Sequence, residues 1–498
     1  MFKMFNALQT SEDGSVLIMV ALASLMLIAA TGAAVDMSRA QTLQQKISSS
    51  LDAAGLAAGA TASSVDPVAQ ATRYFNANFP SGYLGAGTIT LNATCADTSG
   101  NTVTCTSPST YTINLSASTT QATTFMKAVG VNSLTVSSNS QITRQTSGLE
   151  LALVLDNTGS MADSVDGHTV SNHHPAKITA LKCALAGDAA FGGGTTCETD
   201  NLVTTGLLDI LYGSNTTLPD LFIGVVPFSD MVNVGVTSAP GSGFVNNVTS
   251  GNKASMGGCV DSRSYTTAST TDAAITLPAG DGTITLDIAD DPPSNTVTGT
   301  YFQALTSSGN GDCPNASVQP MTLSKTTVVN ALVSMSPAGS TMINLGFAWG
   351  WRMLSPNWTG LWGATPTFTY PNTTTTVSLP LPYNTTNMLK VVVLMTDGVN
   401  TTAHSGTAYG DVTTYPDTVA KLDTLTKTVC DAMKSKGIII YTIGFGPSTG
   451  VNTTLLQYCA TQNYTGDTSH YYLAPTNAEL ESAFQQIGDQ LANLRVSQ

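Results

Sequence analysis

Two aspartates, Asp156 and Asp397, each stand at the end of a nearly uninterrupted apolar run and open a loop of glycine and hydroxyl residues. The first segment reads LELALVLDNTGS and the second KVVVLMTDGVN. A third hydroxyl-bearing segment, AGST at 338–341, immediately precedes an apolar helical stretch. Carboxylates and hydroxyls without His or Cys suit a hard divalent cation such as Mg²⁺, which prefers octahedral oxygen and keeps several waters. Neutral hydroxyl ligands leave part of the ion's charge unmatched, so a carboxylate from a partner could complete the shell. Each segment alone has a plainer reading, a strand-ending turn whose Asp caps a helix. Their conjunction is what points to metal.

These loops need a scaffold, and the surrounding patterns supply one. LELALVLD (149–156) is almost continuously apolar, as expected of a strand buried on both faces of a parallel sheet. LFIGVVPFSD (221–230), KVVVLMTD (390–397) and IIIYTIGFG (438–446) read as strands too. PAKITALKCALAGDAAF (175–191) places Ile178, Leu181 and Leu185 at a helical period, with Pro at a tolerated early position. MINLGFAWGWRML (342–354) is helical, and PDTVAKLDTLTKTVCDAMKSKG (416–437) is a helix ending in a Gly C-cap. The last helix opens on Thr476 and Glu479 as a capping box and aligns Leu480, Phe484, Ile487, Leu491 and Leu494 in one stripe. This alternation predicts an α/β fold over 148–498 with a doubly wound, mostly parallel sheet. Ligands of such sheets collect outside the carboxyl ends of the strands, where both aspartates stand. The Gly/Ser/Thr/Asp-rich stretch at about 237–319 is too long for a connection and reads as an insertion on the sheet's rim.

DNTGS, GST and TDG resemble the metal-ion-dependent adhesion site of von Willebrand factor A domains, a DxSxS motif followed by a distant Thr and a distant Asp. The resemblance implies hydroxyl ligands from Thr158, Ser160 and Thr341, with Asp156 and Asp397 binding directly or through water. The implied ion is Mg²⁺, or Mn²⁺ or Ca²⁺. Thr158 stands where Ser is usual; it keeps the oxygen and adds a methyl. VVPFSDMVNV, GSTMINLGFAWGWRMLSP, VVVLMTDGVNT and IGDQLANLR further resemble TadG-like proteins of Flp (tight adherence) pilus assembly. EDGSVLIMVALASLMLIAATGAAVDMSRAQTLQQKISSSLDAAGLAAGA resembles the membrane helix shared by TadE- and TadG-like proteins. The likeness covers residues 10–60 and 148–498. It implies a single-pass protein of the bacterial inner membrane that reaches into the periplasm and binds other pilus-assembly proteins.

The upstream sequence fits an anchored chain. Gly14 to Val35 carries no charge and, at 1.5 Å per residue, spans roughly 33 Å, enough for a hydrocarbon core of about 30 Å. A cleaved leader is the rival, but Glu12 and Asp13 spoil a basic n-region and the apolar run is long. The division expected is a tail at 1–13, a transmembrane helix with its helical extension at 14–65, a small β-rich spacer domain at 66–147, and the α/β domain at 148–498. GTITLNATC, TYTINLSAST and SLTVSSNSQITR supply the spacer's period-two alternation.

The eight cysteines fall in sequence-local couples, Cys95/Cys105, Cys183/Cys197, Cys259/Cys313 and Cys430/Cys459, out of 105 possible connectivities. None forms Cys-x-x-Cys, so disulfides in an oxidising compartment are expected, which places the chain beyond the span outside. The net charge of -14 repels phosphate backbones and argues against a nucleic-acid partner. No phosphate-binding loop of the GxxxxGK[ST] type occurs, so no nucleotide is expected.

Other candidates weigh less. His168, His173 and His174 read as a solvated loop rather than a transition-metal site. Asp287, Asp290 and Asp291 lack an EF-hand pattern for Ca²⁺. Ser160, His404 and Asp397 could be drawn as a hydrolase triad, but no G-x-S-x-G elbow exists. Trp349, Trp351 and Trp358 read as packing. The function expected is non-enzymatic binding of a protein partner. A secreted or surface adhesin using the same chemistry is the alternative, and a metal-dependent hydrolase the third reading.

Overall fold

The computed structural model describes residues 14–59, 66–97, 100–105, 111–144, 147–171, 173–191, 197, 202–235, 245–246, 258–260, 263–265, 285–287, 290, 292–293, 302–303, 313–363, 365–369, 375–401, 418–463 and 468–497. The chain divides into two compact units, Met1–Thr61 with Val65–Gln145, and Thr146–Gln498 with Ala62–Ser64.

In the first unit a single helix, α1, runs over Gly14–Gly59 without a proline to interrupt it. Its first half is apolar and bare: Leu22, Met26, Leu27 and Ile28 are 54–70% exposed. By length and composition this helix can cross a membrane, where lipid would cover those side chains. Beyond Asp36 its character changes. Leu43, Ile47, Leu51, Ala54 and Ala58 recur at helical spacing and are buried. They share a core with Ala71 and Phe75 of α2 (Pro67–Asn78) and with a four-stranded antiparallel sheet. The strands are β1 (Thr90–Asp97), β2 (Thr102–Val103), β3 (Tyr111–Ala122) and β4 (Ser133–Arg144), in the order β2-β1-β3-β4. Strand β3 buries Tyr111, Ile113, Leu115 and Ala117, every second residue, as a one-sided sheet requires. The helical extension beyond Asp36 therefore belongs to the β-rich core instead of standing apart from it, because its apolar stripe and the sheet's apolar face cover each other.

Asp36 anchors that arrangement. Its carboxylate is buried and accepts the amides of Thr124, Phe125 and Met126 at 3.0, 2.8 and 2.8 Å. Burial pushes its pKa up, but the three amides and Arg39 outweigh this and hold it below the usual carboxylate value.

The second unit is built on a six-stranded sheet. Its strands are β5 (Gly148–Asp156), β6 (Leu221–Phe228), β7 (Gln319–Thr322), β8 (Met388–Thr396), β9 (Ile439–Phe445) and β10 (Tyr471–Ala474). They lie in the order β7-β6-β5-β8-β9-β10, all parallel except β7, which runs antiparallel to β6. The chain thus builds outward from β5 on one side, then returns to place β8 on the other. Every residue of β5 is buried, and alternate ones feed two cores. Leu151, Leu153 and Leu155 pack with α3 (Lys177–Ala186), α4 (Leu207–Tyr212), α5 (Lys325–Ser334) and α9 (Asn477–Ser497). Ala152 and Val154 pack with α6 (Ile343–Leu354), α7 (Thr418–Ser435) and α8 (Thr453–Cys459). This is a mixed α/β unit with a mostly parallel sheet.

Helix α6 is buried along its whole length. Glycine makes this possible: a Cβ on Gly350 would lie 2.4 Å from Val154 Cγ2, and one on Gly346 would lie 2.4 Å from Phe228 Cγ. Trp349, Trp358 and Trp362 are buried and pack edge to face or tilted at 5.6–5.9 Å, with the Arg352 guanidinium 4.9 Å from the Trp349 ring. Trp351, 3% exposed, donates from its indole nitrogen to the Tyr383 hydroxyl at 3.0 Å. Asp290 is buried as well, accepting from Tyr383 Oη at 2.9 Å, Asn357 Nδ2 at 3.2 Å and the Ser355 hydroxyl. Within 237–319 the described residues include short strand pieces, and Val245, Val260 and Phe302 contribute to the core shared with α6. All four sequence-local cysteine couples are disulfide-bonded.

Among the described residues an ion pair lies inside the sheet. Glu150 on β5 faces Lys390 on β8 in register, and both are buried. The carboxylate also accepts the Leu381 amide at 2.8 Å, and the ammonium also donates to the Leu354 carbonyl at 2.8 Å.

Candidate functional site

Strands β5 and β8 are neighbours, and both deliver an aspartate to the carboxyl edge of the sheet. Asp156 is the last residue of β5, and Asp397 follows β8 directly. This edge lies where strand order reverses, the place at which open α/β sheets form a crevice.

Asp156 is fully buried and organises the first loop. Its Oδ1 accepts the Thr158 amide at 2.9 Å, while Oδ2 accepts the Thr396 hydroxyl at 2.7 Å and the Asp397 amide at 3.3 Å. Thr158 Oγ1 and Ser160 Oγ lie 3.0 Å apart, and Ser160 Oγ donates to Asp397 Oδ1 at 2.7 Å. A continuous chain of oxygens thus joins the loops after β5 and β8.

The third loop closes on both. The Gly159 amide donates to the Gly339 carbonyl at 2.9 Å and the Ala338 amide to the Asn157 carbonyl at 2.8 Å. Thr341 exchanges backbone contacts with Thr401, its amide donating to Thr401 Oγ1 at 2.8 Å and its carbonyl accepting the Thr401 amide at 2.9 Å. A Cβ on Gly398 would sit 3.8 Å from Thr341 Oγ1. Asn400 holds the arrangement from behind, accepting the Ile343 amide of α6 and donating to Asp423 of α7, each at 2.8 Å. Asp156, Thr158, Ser160, Thr341 and Asp397 are therefore all brought to one place.

The electrostatics of the cluster are unbalanced. Two carboxylates are buried side by side, and burial followed by the neighbouring Asp397 charge pushes the Asp156 pKa up to about 7. Lys177 supplies a positive charge: its Nζ donates to Asp397 Oδ2 at 2.9 Å and to the Ser160 carbonyl at 3.5 Å. It engages the outer oxygen of Asp397 and makes no hydrogen bond to Asp156 or to the three hydroxyls. The donor set is all oxygen, which fits a hard cation.

Lys177, Thr396, Asn400 and Thr401 were not anticipated from sequence. Thr396 was the most accessible, standing directly before Asp397. Asp230, fully buried just past β6, is a further carboxylate at this edge of the sheet. His404, the third member of the hydrolase constellation, lies outside the described residues.

Residues 14–62 match the family model described as putative Flp pilus-assembly TadE/G-like. That match covers the apolar helix α1 and not the sheet that carries the cluster. No curated protein matches the chain. Among solved structures, the PilB minor pilin from Streptococcus sanguinis aligns at 12% identity and a TM-score of 0.33, over 82% of this chain and 79% of that one. The vWF domain of the type V pili tip protein Mfa5 from Porphyromonas gingivalis aligns at 11% identity and a TM-score of 0.31, over 69% of this chain and 95% of that one.

Proposed function

We propose that the second unit is a doubly wound von Willebrand factor A-type domain whose oxygen cluster holds a divalent cation and, through it, a carboxylate on another pilus-assembly protein. Thr158, Ser160 and Thr341 would contribute hydroxyls, with Asp156 and Asp397 acting directly or through water. Mg²⁺ is the expected ion, with Mn²⁺ or Ca²⁺ as substitutes. Bound there, the ion supplies an electrostatic bridge. The residues of this chain do the rest: hydroxyls leave the ion under-neutralised, and the buried carboxylates fix its seat.

One observation carries this reading. Two adjacent buried carboxylates, joined by hydroxyls from separate loops, face one ammonium among the described residues, and it reaches only one of them. A structural ion pair would need no such convergence of hydroxyls. The pilus context rests on the family match over residues 14–62. The exported, periplasmic placement rests on α1, which is apolar enough to anchor the chain, together with four disulfides that all lie after its apolar run. The role in this reading is adhesive: hydroxyl ligands leave the ion able to take a partner's carboxylate, and the family match over residues 14–62 points to pilus assembly.

In the native bacterium, deleting the gene is expected to abolish surface pili, and wild-type protein to restore them. Asp397→Asn, present in the inner membrane at wild-type level, is expected to restore fewer than about a tenth of the pili. Full piliation with Asp397→Asn would remove the metal-dependent role. Recovery of the protein from the culture medium would favour the adhesin reading instead.

A further inference from the structure

Between Ser160 and Lys177, the loop leading into α3 gathers a different kind of donor. Asp166, His168 and His174 bring one carboxylate oxygen and two imidazole nitrogens within 4.8 Å of one another. His174 Nδ1 lies 2.5 Å from Asp166 Oδ2, and His168 Nδ1 lies 3.3 Å from Asp166 Oδ1. The two rings stack at 4.4 Å with planes 16° apart. The loop is solvent-exposed, as the local sequence predicts, and it also holds these three side chains against one another.

The backbone explains why the rings converge. Residues Ser171 and His174 form a bridge with hydrogen bonds of 3.0 and 2.9 Å, and the Lys177 amide closes the loop's base onto the Asp163 carbonyl at 2.9 Å. Ser164 Oγ donates to the His168 carbonyl at 2.6 Å, and the His168 amide donates to Asp166 Oδ1 at 3.2 Å. The three side chains are thus set before any ion arrives, while 35–66% exposure leaves them open to solvent.

We propose that Asp166, His168 and His174 form a second metal site, selective for a borderline transition ion such as Zn²⁺, Ni²⁺ or Cu²⁺. Two imidazoles and a carboxylate are the ligand set such ions prefer, and Mg²⁺ does not. Three protein ligands leave an outward coordination position for water or for a donor from another molecule. Thiolates do not compete, because the cysteines are all in disulfides. The site stands independently of the proposed Mg²⁺ site and has the opposite chemical preference.

The test uses the full-length chain in detergent, purified without a polyhistidine tag, stripped with chelator and dialysed against Zn²⁺ at pH 7.5. About one Zn²⁺ per chain is expected, with affinity falling at least tenfold in the His168→Ala/His174→Ala variant. Affinity should also fall at least tenfold at pH 5.5, where imidazoles take up protons. Asp156→Ala should bind Zn²⁺ like the wild type, which separates this site from the oxygen cluster. These histidines are partly exposed, so unchanged circular dichroism is expected to accompany the loss. Equal Zn²⁺ binding by the double-histidine variant, or no saturable Zn²⁺ binding by the wild type, would overturn the proposal.

Discussion

Replacing Lys390 with methionine is expected to destabilise the second unit by about 3–5 kcal/mol, a large share of what holds a typical domain together. The Glu150 carboxylate would remain in the middle of the sheet with, among the described residues, only the Leu381 amide against it. Burial already pushes Glu150 up and Lys390 down in pKa, each opposed by its partner. Losing the ammonium would raise Glu150 further. An acid whose folded pKa exceeds its unfolded value binds more protons when folded, so the variant's stability should fall as pH rises above about 4.5. Adding Glu150→Gln should recover most of the loss, because the remaining groups are neutral. Urea unfolding at pH 5 and pH 8 measures both effects. A single-variant loss below about 1 kcal/mol would show the pair to be dispensable.

Divalent cation should change the stability of the chain in a pH-dependent way. Asp156 carries a folded pKa of about 7 against an ordinary 3.8, owing first to burial and then to Asp397. Without a cation, the fold keeps a proton that the unfolded chain has lost. Stability is therefore fully present below about pH 4 and is lost as pH rises through about 7. A cation that takes the place of that proton should bind about tenfold more tightly per pH unit until about 7, then level off. Mg²⁺ is expected to raise the melting temperature at pH 8 and to have little effect at pH 5.5. Thermal scans with and without Mg²⁺ at both values decide the matter. Equal Mg²⁺ effects at the two values would mean that Asp156 is not where the ion displaces a proton.

The parts of this fold that were legible share one property, a long and uniform physical pattern. The strand of 149–156 could be read because burial on both faces leaves a continuous apolar run. The helix of 342–354 could be read from its apolar length, and the aspartates from their place at strand ends. Short edge strands were not legible: Gln319–Thr322 and Tyr471–Ala474 have four residues each, too few for a period to show. Glu150 and Lys390 look like blemishes in apolar runs until the register sets them face to face. Asp290 sits in an acidic, proline-flanked segment that suggests solvent or Ca²⁺, yet it is buried among side chains far away in sequence. Lys177 is the sharpest case. It lies 220 residues from Asp397, and nothing in its helical spacing says where the ammonium ends up. In the histidine loop the exposure was legible but the ring stacking was not, since it depends on turn closure that residue types alone do not specify.

The central claim concerns a single hard cation held by Asp156, Thr158, Ser160, Thr341 and Asp397. Isothermal titration calorimetry of the full-length chain in detergent with Mg²⁺ at pH 7.5 tests it directly, because the imidazole site has little affinity for Mg²⁺. Wild-type protein should show saturable binding of about one ion per chain, and Asp156→Ala should weaken it by at least about 100-fold. Identical isotherms for the two proteins, or no saturable heat with the wild type, would contradict the account and leave Lys177 as the counter-charge that settles the cluster.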